Sequence, residues 1–590
     1  MNHRTLIFWL FGCAAALSAS AQASDTLRLP EIRVTDATLA TRHMQSLSAK
    51  PADADASIAA VLARSGGALR RYAPGILETA AFRGFTASQT QVLWNGFPLN
   101  HAMVGLTDLS LYPVFLFDRM MVDQAGGSSD HALSAIGGTV DLRSDADARL
   151  ATTASLGAFG QQGLGMKAGL DHGANRIRIG IHHQQSDNDY RYRDVFTVPV
   201  AMRRRTNASR EQLSAMAHIR RVGDHLRQDH HLYATQRRSG IPGPISAPSS
   251  KATQTDRILR VHSRAAFRIG PAWGTLAVNG TSQDLDYLDT GVNSLSTVRA
   301  LGVRGGFGTR DLRLFIERSQ TWVDFSEYTA PDRVMWTAQG DIRRGRVSAS
   351  ARTDHDSAYG WFWSASTGVR LGDWKAHVSR TVGIPTFNDL YWPVLGNPDL
   401  QPESALKAEL TWESDIAGWR LILPSHASQV DDGIQWIPGI DGRFRPRNIR
   451  QTRTIGMEPQ LRRGETRLYA VFTDARHTAA RFPGDQSRGR QVAYIPKWTG
   501  GAEHTVRWKD LYLNPEVRYT GRRATTDDGL FPIDPQWEVD MTLGTTIQHN
   551  PLRMDASATV RNLTDADLST IRWYPMPGRH LIVTLQIRIP

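Results

Sequence analysis

The chain ends RHLIVTLQIRIP, Arg579 to Pro590. In an extended backbone Leu581, Val583, Leu585, Ile587 and Ile589 point one way and Thr584, Gln586 and Arg588 the other, the period-two signature of a strand with a single apolar face. The stretch NRIRIGIHH, Asn175 to His183, repeats it, setting Ile177, Ile179 and Ile181 against Arg176, Arg178 and His182. From about residue 148 onward, segments of about ten residues alternate in this way between clusters of Gly, Asp, Asn and Pro. One such strand does not separate a soluble sandwich from a membrane barrel. The whole set does: it runs for more than 400 residues, keeps its charges on the polar face, and carries fourteen tryptophans from Trp273 to Trp573 that suit interfacial girdles. A bilayer core offers backbone groups no water, so only a closed barrel satisfies strands of this kind. The expected fold is mostly β, with an antiparallel transmembrane β-barrel over 148–590. Those 443 residues divide into ~22 strands of about 20 residues each, connection included. A porin of about 16 strands with longer loops also fits the length.

The amino end sets the compartment. His3 and Arg4 precede the apolar stretch LIFWLFGCAAAL and the small-residue site Ala21-Gln22-Ala23, which read as a secretory signal peptide over 1–23, cleaved before Ser24. The stretch is too short for a spanning helix, which needs about 20 residues. Bulky Phe11 argues against a lipoprotein reading around Cys13. Cys13 is the only cysteine, so its removal with the leader leaves neither a disulfide nor a Cys-metal site. The formal charge of +12 comes from 62 arginines and seven lysines. Two readings stand: attraction to anionic lipid or lipopolysaccharide, or arginine lining a polar interior. Nucleic acid is not indicated, because the arginines are scattered and neither a zinc-knuckle spacing nor an aromatic RNA-binding signature occurs.

Residues 24–147 lack the alternation. DASIAAVLARSGG predicts a short helix with Ser57 as N-cap, an apolar stripe of Ile58, Val61 and Leu62, and Gly66 as its stop. Short strands follow, among them QTQVLWNGFPLN, Gln89 to Asn100, where Asn95-Gly96 calls for a two-residue hairpin turn. A small α+β domain ahead of a large barrel suggests a plug in its lumen.

The order SIAAVLARSGG, RRYAPG, AAFRGF, TQVLWNGFPLN, DLSLYPVFLFDRMMVDQAGGSS and AIGGTVDL resembles the plug of TonB-dependent outer-membrane receptors. GIPTFNDLYWPVLGNPDLQPE, 383–403, and RNLTDADLSTIRWYPMPGRHLIVTLQIRI are similar to the family's barrel and closing strands. The resemblance implies a TonB-box segment over 24–45, a plug over 46–147 and a barrel over 148–590 in the outer membrane of a Gram-negative bacterium. LPEIRVTDA resembles the TonB box, with Glu31, Ile32, Arg33, Val34 and Thr35 as the coupling strand that pairs with TonB by β-augmentation. The implied function is import of a scarce, large chelate, cobalamin-like or a ferric siderophore, driven by TonB-transmitted proton-motive force. Implied partners are TonB with its inner-membrane motor, outer-membrane lipid and lipopolysaccharide, and the barrel-assembly machinery. No cofactor is expected.

Tyr72, Asn100, His101 and Met103 lie in the plug turns expected to face outward and are the ligand candidates. Arg83 in FRGF matches a family position that locks plug to barrel through carboxylates; Met121 and Gln124 replace the usual Glu and Arg nearby, implying a thinner lock. Haem fits poorly, since no histidine lies between Ile384 and Leu400. The histidine pairs 182–183 and 230–231 read as exposed loop residues rather than metal ligands, and ADAD at 52–55 and DLDYLD at 284–289 lack EF-hand spacing, so no metal site is expected. A passive porin and a barrel-type outer-membrane hydrolase are the alternatives; neither G-x-S-x-G nor H-E-x-x-H occurs. The chain also ends in Pro590 where the family commonly ends in an aromatic residue.

Overall fold

Twenty-two antiparallel strands close on themselves in a computed structural model that describes residues 41–54, 56–125, 134–144, 149–438, 443–480 and 484–589. The first strand, Leu150–Gly157, pairs with the last, His580–Ile589, so that Leu585 faces Ala154 and no sheet edge is left open. Alternation is visible residue by residue. Leu581, Val583 and Leu585 are exposed on the outer wall, while Thr584 and Gln586 are buried toward the lumen. Ile179 and Ile181 likewise face out and His182 in.

The two ends of the barrel differ. At one end neighbouring strands are joined by tight turns such as 173–174, 270–271 and 345–346; at the other by long segments, 187–209, 384–402, 478–497, 521–535 and 562–579. Outer-membrane barrels carry short periplasmic turns and long extracellular loops, which orients the molecule. Exposed Trp336, Trp361, Trp363, Trp498 and Trp537 sit near the loop end and Trp374 and Trp508 near the turn end, forming a girdle at each interface.

The lumen is filled by the amino-terminal domain. Its five-stranded sheet runs in the order Met44–Leu47, Arg119–Asp123, Gly138–Arg143, Thr90–Trp94, Phe97–Pro98, with Thr90–Trp94 and Gly138–Arg143 parallel and the other pairs antiparallel. The helix Ile58–Ala63 starts where its sequence predicts: the Ser57 hydroxyl accepts the Ala60 N–H, and Ile58, Val61 and Leu62 are fully buried. That stripe joins Trp94, Leu109, Tyr112 and Phe117 in one core that extends to Tyr233 and Ile258 of the barrel wall. Asn95 and Gly96 both have positive φ, 49° and 90°, as the two-residue turn of the hairpin requires. The coupling segment Glu31 to Thr35 lies outside the described residues, as does Pro590.

Candidate functional site

Plug and wall are joined by ion pairs, of which Arg83 makes the densest. Arg83 and Gly84 both take positive φ, which turns the guanidinium into the wall. Its Nε donates to Glu458 Oε1 at 2.8 Å, Nη2 to Glu458 Oε2 at 3.2 Å, and Nη1 to Glu409 Oε2 at 2.6 Å. Burial alone would disfavour the charge. Glu458 and Glu409 more than offset it, holding Arg83 protonated more firmly than a free arginine. The same Glu409 accepts the backbone N–H of His43 at 3.3 Å, beside the edge strand Met44–Leu47.

Two further plug carboxylates share this work. Asp108 meets wall Arg237 at 2.8 Å, and Arg237 also pairs with Asp256. Asp53 takes a two-pronged contact from Arg64 at 2.7 and 2.8 Å and stands 3.7 Å from wall Arg561. Burial pushes the Asp53 carboxyl up, but the Arg64 guanidinium, with Arg561 and Lys50 behind it, overcomes this and holds it well below the usual carboxylate range. Lys50 with wall Glu503 at 2.9 Å and Asp118 with wall Lys167 at 2.8 Å add further plug–wall pairs.

The ligand candidates meet two different loops. Tyr72 is half-buried, edge-on to Tyr574 with ring centroids 4.9 Å apart, under loop 562–579. Asn100 braces its own turn: its side chain accepts from Val92 N–H and the Thr107 hydroxyl and donates to the carbonyls of Thr90 and Gly105. His101 is buried, and its Nδ1 accepts the Met103 N–H at 3.3 Å. Burial, reinforced by the Arg260 guanidinium, pushes this imidazole down to about 4 from its ordinary 6.5. Met103 packs with Phe387, Phe325 and Val298 beneath loop 384–402, whose short helix Phe387–Tyr391 is capped by Thr386.

A cavity of about 920 Å³ opens at the loop end. Its walls come from the hairpin of Arg191–Asp194 and Ala201–Arg204 and from residues 565–579. Tyr192, Trp573 and Tyr574 give it aromatic surface. Four arginines, Arg191, Arg193, Arg204 and Arg579, are matched by four carboxylates, Asp187, Asp189, Asp565 and Asp567. Arg204 is paired with Asp189, and Tyr190 beneath donates to the Pro575 carbonyl at 2.7 Å, tying the two halves together.

Residues 119–563 match the family described as TonB dependent receptor-like, beta-barrel, and residues 41–139 match the TonB-dependent Receptor Plug Domain. The chain belongs to the TonB-dependent receptors. Among curated relatives, a Vitamin B12 transporter BtuB of Vibrio vulnificus is 25% identical over 263 residues, spanning 41% of this chain and 40% of the relative. A BtuB of Vibrio cholerae is 21% identical over 553 residues, 86% of this chain and 85% of the relative. Among solved structures, the siderophore receptor PirA from Acinetobacter baumannii superposes with a TM-score of 0.73 at 14% identity, covering 92% of this chain and 98% of that one, a likeness of fold.

The histidine pairs of this receptor are not loop residues, which corrects the expectation from sequence. Both lie in strands, Asn175–Ser186 and Leu226–Gly240, with His183 and His230 outward and His182 and His231 buried inward, as period-two geometry demands. His218, Asp229 and His231 come together, their ligand-type atoms within 4.8 Å of one another, a constellation that sequence reading missed because its members lie on paired strands. Arg220 at 2.5 Å and Arg227 at 2.8 Å occupy the Asp229 carboxylate, and Trp94 and Asn95 of the plug hairpin rest on His231. The cluster therefore works as the seat of the hairpin tip. The extracellular cavity was missed too; the aromatic-basic run IRWYPMPGR, 571–579, in the last long loop was its one signal.

Proposed function

We propose that this receptor imports a cobalamin-like chelate across the outer membrane, energised through TonB. One observation carries the ligand class: the extracellular cavity is charge-balanced and aromatic, with four arginines against four carboxylates. Such a lining suits a large ligand of little net charge that presents many amide groups, and gives a strongly anionic chelate no surplus positive field. The curated relatives named as vitamin B12 transporters support the same class. Ligand seated there would rest on Tyr574, behind which Tyr72 stands, while Asn100, His101 and Met103 hold the second plug turn in shape under loop 384–402.

Coupling follows the family's physical logic. The outer membrane offers no ATP, so energy arrives as a pull on the coupling strand Glu31 to Thr35 by a TonB strand added to its edge. Ligand affinity must then differ between strand-hidden and strand-exposed states. Lipid and lipopolysaccharide around the apolar belt, and the barrel-assembly machinery during insertion, complete the partners, and the reading assigns no catalysis. The test is binding and uptake side by side. Purified receptor should bind cyanocobalamin and not ferric siderophores or haem, and deletion of residues 30–36 should abolish uptake in cells while binding persists. Preferential binding of a ferric siderophore would install that second reading, and uptake surviving the deletion in a correctly assembled barrel would overturn the mechanism.

A further inference from the structure

Three cavities line up along one side of the plug. The extracellular cavity of about 920 Å³ shares Leu568, Ser569 and Met576 with a second of about 260 Å³, enclosed between the plug helix Ile58–Ala63 and the wall strands from Thr466–His477 to His580–Ile589. The second shares Ala52, Asp53, Arg64 and Arg561 with a third of about 150 Å³. That third reaches Glu465 and Arg507, which stand about half exposed at the short-turn, periplasmic end. The series therefore runs from the loop end to the short-turn end, and its lower two members meet at an ionic junction.

The junction is built from both bodies. Asp53 of the plug lies between Arg64 of the plug and Arg561 of the wall. Glu516 approaches Arg64 Nε at 3.4 Å, and Asp540 accepts from Arg561 at 2.8 Å. On the plug side the second cavity is lined by Ala56, Ala60, Ala63, Gly66, Gly67 and Ala68 along the helix and its ends, and by the larger Leu69, Arg71, Glu78 and Tyr112 beyond them.

We propose that the substrate passes along this side of the plug and that Asp53 is the gate. This rests on the transporter reading and adds its route. Chain order gives the gate its trigger. Asp53 follows the edge strand Met44–Leu47 by six residues, in the 3-10 turn Pro51–Asp53 that Lys50 anchors to Glu503 and Asn514. A pull applied ahead of Met44 peels the edge strand from Arg119–Asp123, then draws out Lys50 and Asp53, before it loads the helix or Arg83. Withdrawing Asp53 leaves Arg64 and Arg561 with one carboxylate fewer between them, and like charges at the junction part. The second and third cavities then join without unfolding of the remaining plug.

The first arm of the test needs no ligand. Full-length receptor in planar lipid bilayers is compared as wild type, Asp53→Ala and Asp108→Ala, with assembly of each checked by heat-modifiable electrophoretic mobility. Asp108→Ala removes a plug carboxylate, 9% exposed against 3% for Asp53, from wall Arg237, and Asp108 itself lines none of the three cavities. The expected result is a rise in ion conductance of about tenfold or more for Asp53→Ala, with Asp108→Ala at the wild-type level. Wild-type conductance in Asp53→Ala, or a rise of equal size in Asp108→Ala, overturns the gate. A second arm keeps the wild-type junction. Thr499→Cys on the wall of the middle cavity, modified with a bulky maleimide, should leave cyanocobalamin binding unchanged and block uptake. Undiminished uptake in the modified protein overturns the route, whereas loss of cobalamin binding by wild-type receptor would sink the ligand reading and leave the conductance arm to decide.

Discussion

At the scale of single residues, the plug holds neutral and charged groups where solvent alone would not, and His101 gives this a pH signature. Its Nδ1 must stay unprotonated to accept the Met103 N–H, and its folded-state value of about 4 lies below the ordinary 6.5. An opened turn therefore binds more protons than the closed one between these values, and stability of the turn falls as pH falls through that window. The loss amounts to about 2 kcal/mol between pH 7 and pH 5. Hydrogen exchange over Asn100 to Leu106 should accelerate accordingly on acidification, and His101→Gln, which keeps an acceptor without a titrating ring, should flatten the dependence. A wild-type profile as flat as the variant's would remove His101 from the account. Sequence marked His101 as a turn residue of the plug. It did not show the burial, because Arg260, whose guanidinium bears on the ring, lies more than 150 positions away.

At the scale of elements, what was legible is what local chemistry determines. Ser57 caps its helix, Asn95-Gly96 turns its hairpin, and every strand tested by alternation keeps its apolar face outward. The hairpin offers the sharpest check. Gly96 has φ of 90° and nothing within 4 Å of the position a Cβ would take, so Gly96→Ala meets no clash and reports backbone strain alone. That strain costs about 1 kcal/mol. The variant should raise hydrogen exchange in Gln91 to Leu99 severalfold while the barrel strands keep their protection; no change would mean that the His231 seat, rather than the turn, sets the register. That seat was not legible. Period two predicts that one histidine of each adjacent pair faces inward, but only the pairing of Arg210–Val222 with Leu226–Gly240 puts His218 opposite His231. The cavity hairpin was equally hidden, since Tyr190 and Pro575 meet across 385 positions of chain.

At the scale of the whole molecule, the outer wall faces a hydrocarbon solvent, and the energetic argument inverts that of a soluble protein. Exposed Leu, Val and Trp are stabilising there, and the polar lumen is covered by the plug rather than by water. This makes the depth dependence of a charge substitution the decisive measurement of the fold. Leu543 is exposed at the middle of strand Gln536–His549, while its neighbour Thr542 is buried toward the lumen and shares a 3.0 Å hydroxyl contact with Thr559. Leu543→Arg places a guanidinium near the bilayer midplane and should cost about 2–4 kcal/mol, read as a lowered urea midpoint for folding into lipid vesicles. Leu552, equally apolar but at the turn end of the following strand, lies near the interface, and Leu552→Arg should cost about 0–1 kcal/mol because the side chain reaches water. Equal costs at the two positions would be incompatible with a bilayer around this wall. The two substitutions carry the same chemistry and differ in depth alone, so their difference separates a membrane barrel from a barrel in water without reference to ligand, partner or plug.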